Sequence, residues 1–341
     1  MAVSLHMRSP GKWPARLADL GVAALAAVLL QAGCVVSDRA SSFDRTLKVD
    51  GPVQLEINGG SGRIVVRNGA PGEVHVHGEV RAAGLILLSG IRRVQEIASN
   101  PPIEQSGSFV RLGYGRGDVI LGSVSISYTV ETPPDTELRV KDGSGEVQVS
   151  GLRRQVSVTI GSGGASLTDI GDDVSIQVSS GTIRASHIEG SVNFNSGSGT
   201  VTFQDVKQDV RGRAGSGKVE VERADGRVAV NTGSGPIRVN GARQDLRAAT
   251  GSGSIDIQGD PVGGAFWDVD AGSGKVSLAV PSAASFELYA RTGSGSVQVD
   301  MPITIEEQSR RMLRARVGDG KSHVNVQTRS GNIQISQRGT S

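Results

Sequence analysis

The chain has few aromatic side chains and a single cysteine. Phe, Tyr and Trp make up 3% of the 341 residues, which argues against the thick core usual in enzymes of this length. With one cysteine, Cys34, the chain cannot form an internal disulfide. It also lacks an excess of either charge: residues 1–33 hold three basic residues and one acidic one, and the rest carries 33 of each. Without a basic surplus we expect no nucleic-acid partner.

Near the N-terminus, the apolar run LGVAALAAVLL is too short to span a bilayer. It follows the basic stretch MRSPGKWPAR and ends in QAGC at Cys34, which is the layout of an export signal. A lone cysteine directly after such a segment predicts lipid attachment at Cys34. The alternative is cleavage nearby that leaves a free thiol.

This segment resembles a bacterial lipoprotein signal peptide, which is cut before a diacylated cysteine. Ala32 and Gly33 fit that pattern, whereas Gln31 stands where an aliphatic residue is usual. Val35 follows the cysteine in place of Asp, which by resemblance to enteric lipoproteins implies the outer membrane. The resemblance therefore implies an exported cell-envelope protein, anchored to the membrane by lipid and facing the periplasm or the cell surface.

What the sequence has in abundance is glycine, 48 residues of it, and an internal repeat. Ser-Gly pairs recur at steps of 18 residues, and then of 21, 21 and 36. The serines are Ser144, Ser162, Ser180, Ser198, Ser216, Ser234, Ser252, Ser273, Ser294 and Ser330. A catalytic nucleophile is needed once, beside a base, whereas a turn is needed in every repeat. We therefore interpret these serines as turn residues, with glycine permitting positive φ and close approach of the backbone.

Apolar and polar residues alternate on both sides of each Ser-Gly pair. Val219 and Val221 follow Ser216, for example, and Val228 and Val230 precede the next serine. Period-two alternation indicates half-buried strands, whose apolar faces are covered when repeats stack. The sequence thus predicts an all-β fold, a β-solenoid of the β-helix or β-roll kind with about ten 18-residue coils and two main strands per coil. Right-handed crossovers are the default for such connections.

The regions flanking the repeats are less regular. We expect a short helix in SGIRRVQEIASNPP, stopped by Pro101 and Pro102, and a hairpin about Gly318-Asp319-Gly320. Because no cap follows the last coil, we expect that coil to be exposed or paired with a partner. The predicted organisation is a signal peptide (1–33), a polar linker (34–45), an irregular β cap that starts the solenoid (46–140), regular repeats (141–300) and a C-terminal hairpin with the last coil (301–341).

Three stretches carry a family resemblance: GGSGRIVVRNG, VSISYTVETPPDTELRVKDGSGEVQVSGL and the ending VGDGKSHVNVQTRSGNIQIS. With the tandem Ser-Gly coils between them, residues 45–338 resemble a bacterial β-strand-repeat family, a domain of unknown function named for a suspected adhesin role. The resemblance implies an exported or membrane-attached protein, and some members are linked to envelope stress. It carries over no functional residues.

Candidate sites for metals and phosphates are weak. His75 and His77 lie on one face of a predicted strand between Glu73 and Glu79. Two histidines at this spacing can bind zinc, and the alternative is a solvated strand face. The other histidines considered as a third ligand, His187 and His323, lie far off in sequence. GYGRGD at 113–118 has spaced glycines without the rest of a phosphate loop, and its RGD at 116–118 is a short motif that arises by chance. The turns carry Ser where calcium-binding rolls carry Asp. We expect no metal, cofactor or catalytic residue.

The outward side chains of the repeats bear on the class of function. In the first strand after each turn they include Glu146, Arg184, Thr202, Glu220, Arg238, Asp256 and Ser277. Their mixed charges lack the grouped carboxylates of a glycosidase. Phe266 and Tyr289 fall at outward positions, where aromatic rings can stack on sugars, and Trp267 falls in the inward column.

The sequence therefore predicts a non-enzymatic envelope lipoprotein, an adhesin whose repetitive surface binds glycan, matrix or protein. The alternative is a periplasm-facing accessory or scaffold in envelope stress, and a carbohydrate-active enzyme is the third hypothesis. The oligomeric state and the ligand are left open.

Overall fold

The computed structural model describes residues 40–82, 88–114 and 124–338, with the backbone alone for 88–91. These described residues belong to one compact unit. The predicted signal peptide and Cys34 lie outside the described residues. Across the described residues the fold is mostly β with one helix, and the 25 strands found there join in one sheet that is largely parallel.

The elements follow the chain in this order: β1 Ala40–Lys48, β2 Val53–Asn58, β3 Ser61–Asn68, β4 Glu73–Ala82, α1 Leu88–Ser99, β5 Ile103–Ser106, β6 Phe109–Gly113, β7 Val124–Thr132, β8 Thr136–Ser150, β9 Val156–Ile170, β10 Val174–Ile188, β11 Val192–Val206, β12 Val210–Ser216, β13 Val219–Ala224, β14 Val228–Ser234, β15 Ile237–Ala242, β16 Leu246–Ser252, β17 Ile255–Gly259, β18 Phe266–Ser273, β19 Val276–Val280, β20 Phe286–Ser294, β21 Val297–Asp300, β22 Thr304–Gln308, β23 Met312–Val317, β24 Ser322–Ser330 and β25 Ile333–Gln337.

The Ser-Gly repeat sets the pairing of the central strands. β9, β10 and β11 pair in parallel, with Ser162 beside Ser180 and Ser180 beside Ser198, a register of 18 residues. Inward residues of each strand are buried, as the alternation predicts, and outward residues are exposed. From residue 210 onward the strands on the two sides of each Ser-Gly are separate elements, but the register continues from β12 to β17. The structure is thus a solenoid-like repeat.

Each repeat needs glycine directly after the serine, because the backbones of neighbouring layers come close together there. Gly181 has φ +140°, and a Cβ added to it would lie 1.6 Å from the carbonyl oxygen of Gly163. Since no side chain fits in that space, Gly follows Ser wherever two bends stack.

The N-terminal strands pair with the first layers of the stack. β2 and β3 pair with β8 on one side and with β6 and β7 on the other, while β4 runs antiparallel to β7 and β1. The predicted helix is present as α1, just before Pro101. β1 begins at Ala40, inside the stretch expected to be a linker, because Phe43 is buried over Gly78 of β4.

The C-terminal layers do not stack in sequence order. β24 lies between β18 and β20, and β25 lies between β19 and β21. The prediction that the last coil of the chain is exposed or paired with a partner is therefore wrong, because that coil is enclosed by two layers of its own chain.

The expected hairpin about Gly318-Asp319-Gly320 is also displaced. β22 and β23 form the hairpin, and its turn lies at residues 309–311, where Ser309 N donates to Met312 O at 2.7 Å. β23 pairs antiparallel with β20. Since β20 separates β23 from β24, residues 318–320 form a crossing between strands that are not neighbours.

Candidate functional site

Most residues singled out in the sequence lie on exposed strand faces. His77 Nδ1 lies 2.8 Å from Asp44 Oδ1, and His75 Nδ1 lies 3.2 Å from Thr46 Oγ1. In the described ranges no group of three or more His, Cys, Asp or Glu side chains is placed to hold a metal ion. Of the GYGRGD motif, residues 115–118 lie outside the described residues.

His187 belongs to a ladder of acidic and basic side chains that alternate along one column of turns in successive layers. Its ring nitrogens lie 3.2 Å from Asp169 Oδ1 and 3.6 Å from Asp205 Oδ2. The side-chain hydrogen bond from Arg223 holds the pKa of Asp205 below its ordinary value. Asp169, His187, Asp205 and Arg223 all have φ between 54° and 58°, so the ladder follows a column of left-handed turns.

The outward carboxylates of the repeats are paired with cations. Glu220 contacts Lys218 and lies 3.4 Å from Arg238, which is also 3.6 Å from Asp256. Glu146 lies 3.2 Å from Arg63 of the neighbouring layer. The charges on this face therefore balance locally.

Phe266 and Tyr289 flank one groove near the C-terminal end of the stack. Phe266 begins β18, Tyr289 lies in β20, and β24 runs between these two strands. Phe266 stands beside His323 and Tyr289 beside Asn325, so the rings face each other diagonally across β24. Their Cα atoms are separated by two strand spacings across the sheet and by two residues along the strands, which together give about 12 Å. Both rings are outward, as predicted, with Phe266 51% and Tyr289 37% exposed.

We call this cleft of about 290 Å³ the aromatic groove. The side chains that define it are Phe266, Glu287, Tyr289, Glu306, Arg314, His323 and Asn325.

Polar side chains with fixed partners form its floor and one wall. Asn325 Nδ2 donates to Asp268 Oδ1 at 3.0 Å, and His323 Nδ1 lies 3.4 Å from Glu287 Oε2. On the wall, Glu306 lies 3.2 Å from Arg314. The first two contacts fix the amide of Asn325, the imidazole of His323 and the carboxylate of Glu287 on the two strands β24 and β20, whereas Glu306 and Arg314 lie on the outer side of Tyr289. The groove thus combines two apolar ring faces with hydrogen-bonding groups between them.

Sequence reasoning missed His323 and Asn325 as site residues. They come from β24, which is inserted between β18 and β20, and a repeat read in chain order places them beyond both rings. The sequence did hold a sign of this irregularity. The step from Ser294 to Ser330 is 36 residues, which is two repeats with no Ser-Gly pair between them. Trp267, predicted to be core, is fully buried, and its Nε1 donates to Gln244 O at 2.8 Å.

A second feature is a buried carboxyl near the N-terminal cap. Asp142 lies two residues before Ser144, in the inward column where the next layer has Ile160. It is 7% exposed, and neither carboxylate oxygen has a hydrogen-bond partner in the described part of the chain. Burial raises its pKa to about 6, opposed in part by the nearby backbone N–H of Gly143, which falls short of hydrogen-bond geometry.

A small cavity lies close to this carboxyl. Its volume is about 30 Å³, and its described walls include Gly59, Gly60, Arg93 and Tyr128. The Tyr128 hydroxyl is buried, and burial raises its pKa. The cavity has room for about one water molecule.

Among the described residues, no helix combines the length and apolar character needed to cross a membrane. A comparison with curated proteins finds no match.

Residues 171–336, just under half of the chain, match the profile of a domain family described as Toastrack DUF4097.

Several solved structures are distantly similar. A candidate cell adhesion protein from Clostridium sporogenes is 12% identical, covering 88% of this chain and 100% of its own, with a TM-score of 0.25. A candidate lipid binding protein from Parabacteroides distasonis is 10% identical, with 89% and 98% covered and a TM-score of 0.36. A candidate adhesin from Bacteroides fragilis is 12% identical, with 87% and 97% covered and a TM-score of 0.29. The family match includes every layer that forms the aromatic groove.

Proposed function

We propose that this protein is a non-enzymatic adhesin of the cell envelope that binds oligosaccharides in the aromatic groove. The observation that carries the proposal is the pair of exposed rings, Phe266 and Tyr289, on either side of a polar floor made by His323 and Asn325.

Sugars match this combination of groups. A pyranose has apolar C–H faces and a rim of hydroxyls, and an aromatic ring offers an apolar face with a negative quadrupole to such C–H groups. The amide of Asn325, the imidazole of His323 and the carboxylate of Glu287 can donate to or accept from sugar hydroxyls. Because the two rings stand about 12 Å apart, we expect an oligosaccharide that contacts both rather than a single sugar.

The fold itself does not require an aromatic residue at the position of Phe266. Phe266 stands seven residues before Ser273, and earlier layers place Asp209, Arg227 and Asp245 at the equivalent position. An exposed Phe leaves apolar surface in contact with water in the free protein, which is unfavourable in free energy. Binding of a ligand that covers both rings recovers that free energy.

The proposal includes export and lipid attachment at Cys34, with the outer membrane as the site of anchoring. An anchored protein acts in many copies on one surface. Weak individual contacts to a polymeric glycan would then add through multivalency.

The test is binding of defined oligosaccharides to the purified chain from residue 35 onward. A panel of malto-, cello-, laminari- and chito-hexaoses, with uronate-containing hexasaccharides, is titrated against wild type and against Phe266→Ala/Tyr289→Ala. We expect at least one ligand to bind, and the double variant to weaken it by at least about tenfold because two central aromatic contacts are lost.

The matched control is Phe109→Ala. Phe109 is a half-buried aromatic of β6 near the other end of the stack, next to Arg111. It lies outside the groove, so its removal should leave binding unchanged. Equal affinity in wild type and the groove variant, or no binding to any oligosaccharide, would refute the proposal.

A further inference from the structure

We propose that the groove selects acidic oligosaccharides, with Arg291 and Arg329 binding the anionic group of a sugar next to the aromatic rings. This inference rests on the proposed function, since it names the class of glycan that the same site takes.

A polar cleft of about 580 Å³ lies beside the aromatic groove, farther along the same strands. Outward positions alternate along each strand, so Arg291 follows Tyr289 on β20, and Gln327 and Arg329 follow Asn325 on β24. The two parts are joined by Gln327 Nε2, which donates to Asn325 Oδ1 at 3.2 Å. Two residues along a strand span about 7 Å. The Cα atoms of Tyr289 and Arg291 are therefore separated by about the length of one sugar ring.

Arg291 and Arg329 are placed to act on one anion. Arg291 pairs in register with Gln327, which puts its Cα about 8 Å diagonally from that of Arg329 on the neighbouring strand. Both side chains are exposed, and within the described ranges neither forms an ion pair or a side-chain hydrogen bond. By contrast, Arg314 and Arg316 of the adjacent hairpin are both held by Glu306.

The surroundings leave room for a ligand to reach these guanidinium groups. Gly251, Gly272 and Gly293 line the cleft, so its floor there is bare backbone. Asp270 is the carboxylate that lines the same cleft, on the far side of β24 from Arg291. Two arginines against one carboxylate give the cleft a net positive charge.

The chemistry favours a carboxylate or sulfate on a sugar over a free anion. Planar guanidinium groups bind carboxylates and other oxyanions bidentately. Alone, such a pair would suit any anion. Here it lies beside two aromatic rings on the same strands, so one ligand that stacks on the rings and carries a negative charge on an adjacent residue satisfies both parts.

The experiment compares acidic hexasaccharides with their neutral counterparts, using the purified chain from residue 35 onward at 0.15 M salt. Oligogalacturonate and hyaluronan are paired with their carboxyl-reduced forms, and a heparin hexasaccharide with its desulfated, carboxyl-reduced form. We expect at least one acidic ligand to bind about tenfold or more tightly than its neutral form. Arg291→Gln/Arg329→Gln should remove that preference, with a much larger loss of affinity for the acidic form than for the neutral form.

Arg310→Gln/Arg311→Gln is the matched control, because it removes the same charge from exposed arginines in the β22–β23 turn, outside the cleft. If this control loses as much affinity as the cleft variant, the attraction is nonspecific and the inference fails. If neutral forms bind as tightly as acidic ones and still depend on Phe266 and Tyr289, the inference fails while the proposed function stands. If no hexasaccharide binds, both are overturned.

Discussion

Replacing the buried carboxyl of Asp142 with threonine should stabilise the protein at neutral pH. Asp142 occupies an inward column where other layers carry Thr250, Thr292 and Thr328. Each of these threonines donates its hydroxyl to a glycine carbonyl of an adjacent layer, at 3.1, 2.8 and 3.3 Å respectively. Threonine therefore recurs in this column, in three layers with a hydrogen bond and at Thr232 without one, whereas the carboxylate of Asp142 has no partner in the described part of the chain.

The magnitude follows from the pKa of Asp142. Burial raises this pKa from 3.8 to about 6, so the folded state binds a proton more tightly than the unfolded state. At 1.36 kcal/mol for each pKa unit, the ionised carboxyl costs about 3 kcal/mol of stability. This cost is absent below about pH 4, grows as the pH rises toward 6 and is complete above it. Asp142→Thr should remove both the cost and its pH dependence.

The assay is denaturant unfolding of wild type and Asp142→Thr between pH 4 and 8. We expect the two midpoints to be close at pH 4 and to diverge as the pH rises, with the variant more stable at pH 8 by up to about 3 kcal/mol. Asp319→Thr is the control, because it removes the same charge where the carboxylate is 81% exposed. Parallel curves for wild type and Asp142→Thr, or a variant that is less stable at pH 8, would show that the carboxylate is satisfied in the fold.

Two further predictions concern the bends and the anchor. Gly181→Ala should lower the free energy of unfolding by at least about 2 kcal/mol, because φ is +140° and the new Cβ would meet Gly163 O. The control Gly164→Ala should change it little, since the atom nearest to its new Cβ is 3.8 Å away. Similar losses in the two variants would contradict the close-approach argument. A C-terminal tag on intact cells should be cleaved by added protease, and in Cys34→Ala it should move to the medium. Protection of the wild-type tag until the envelope is opened would contradict a surface-facing adhesin and favour the periplasm.

Much of the fold could be predicted because the repeat is local in sequence. The alternation around each Ser-Gly identifies inward residues such as Val219 and Val221, and both are buried. Outward exposure of Phe266 and Tyr289 follows from the same period of two, as does burial of Trp267. The same register also places Asp142 in the inward column, so its burial could have been foreseen.

The sequence by itself determined the strands, their 18-residue register and the direction of each side chain, since these depend on alternation and on glycine at each bend. Only the tertiary structure decided which layers are neighbours. Every layer offers nearly the same Ser-Gly register and apolar columns, so pairing alone does not distinguish one order from another. The β22–β23 hairpin covers β20 and directs the chain back between β18 and β20. That insertion places His323 and Asn325 between Phe266 and Tyr289, and it creates the groove that we propose binds the ligand.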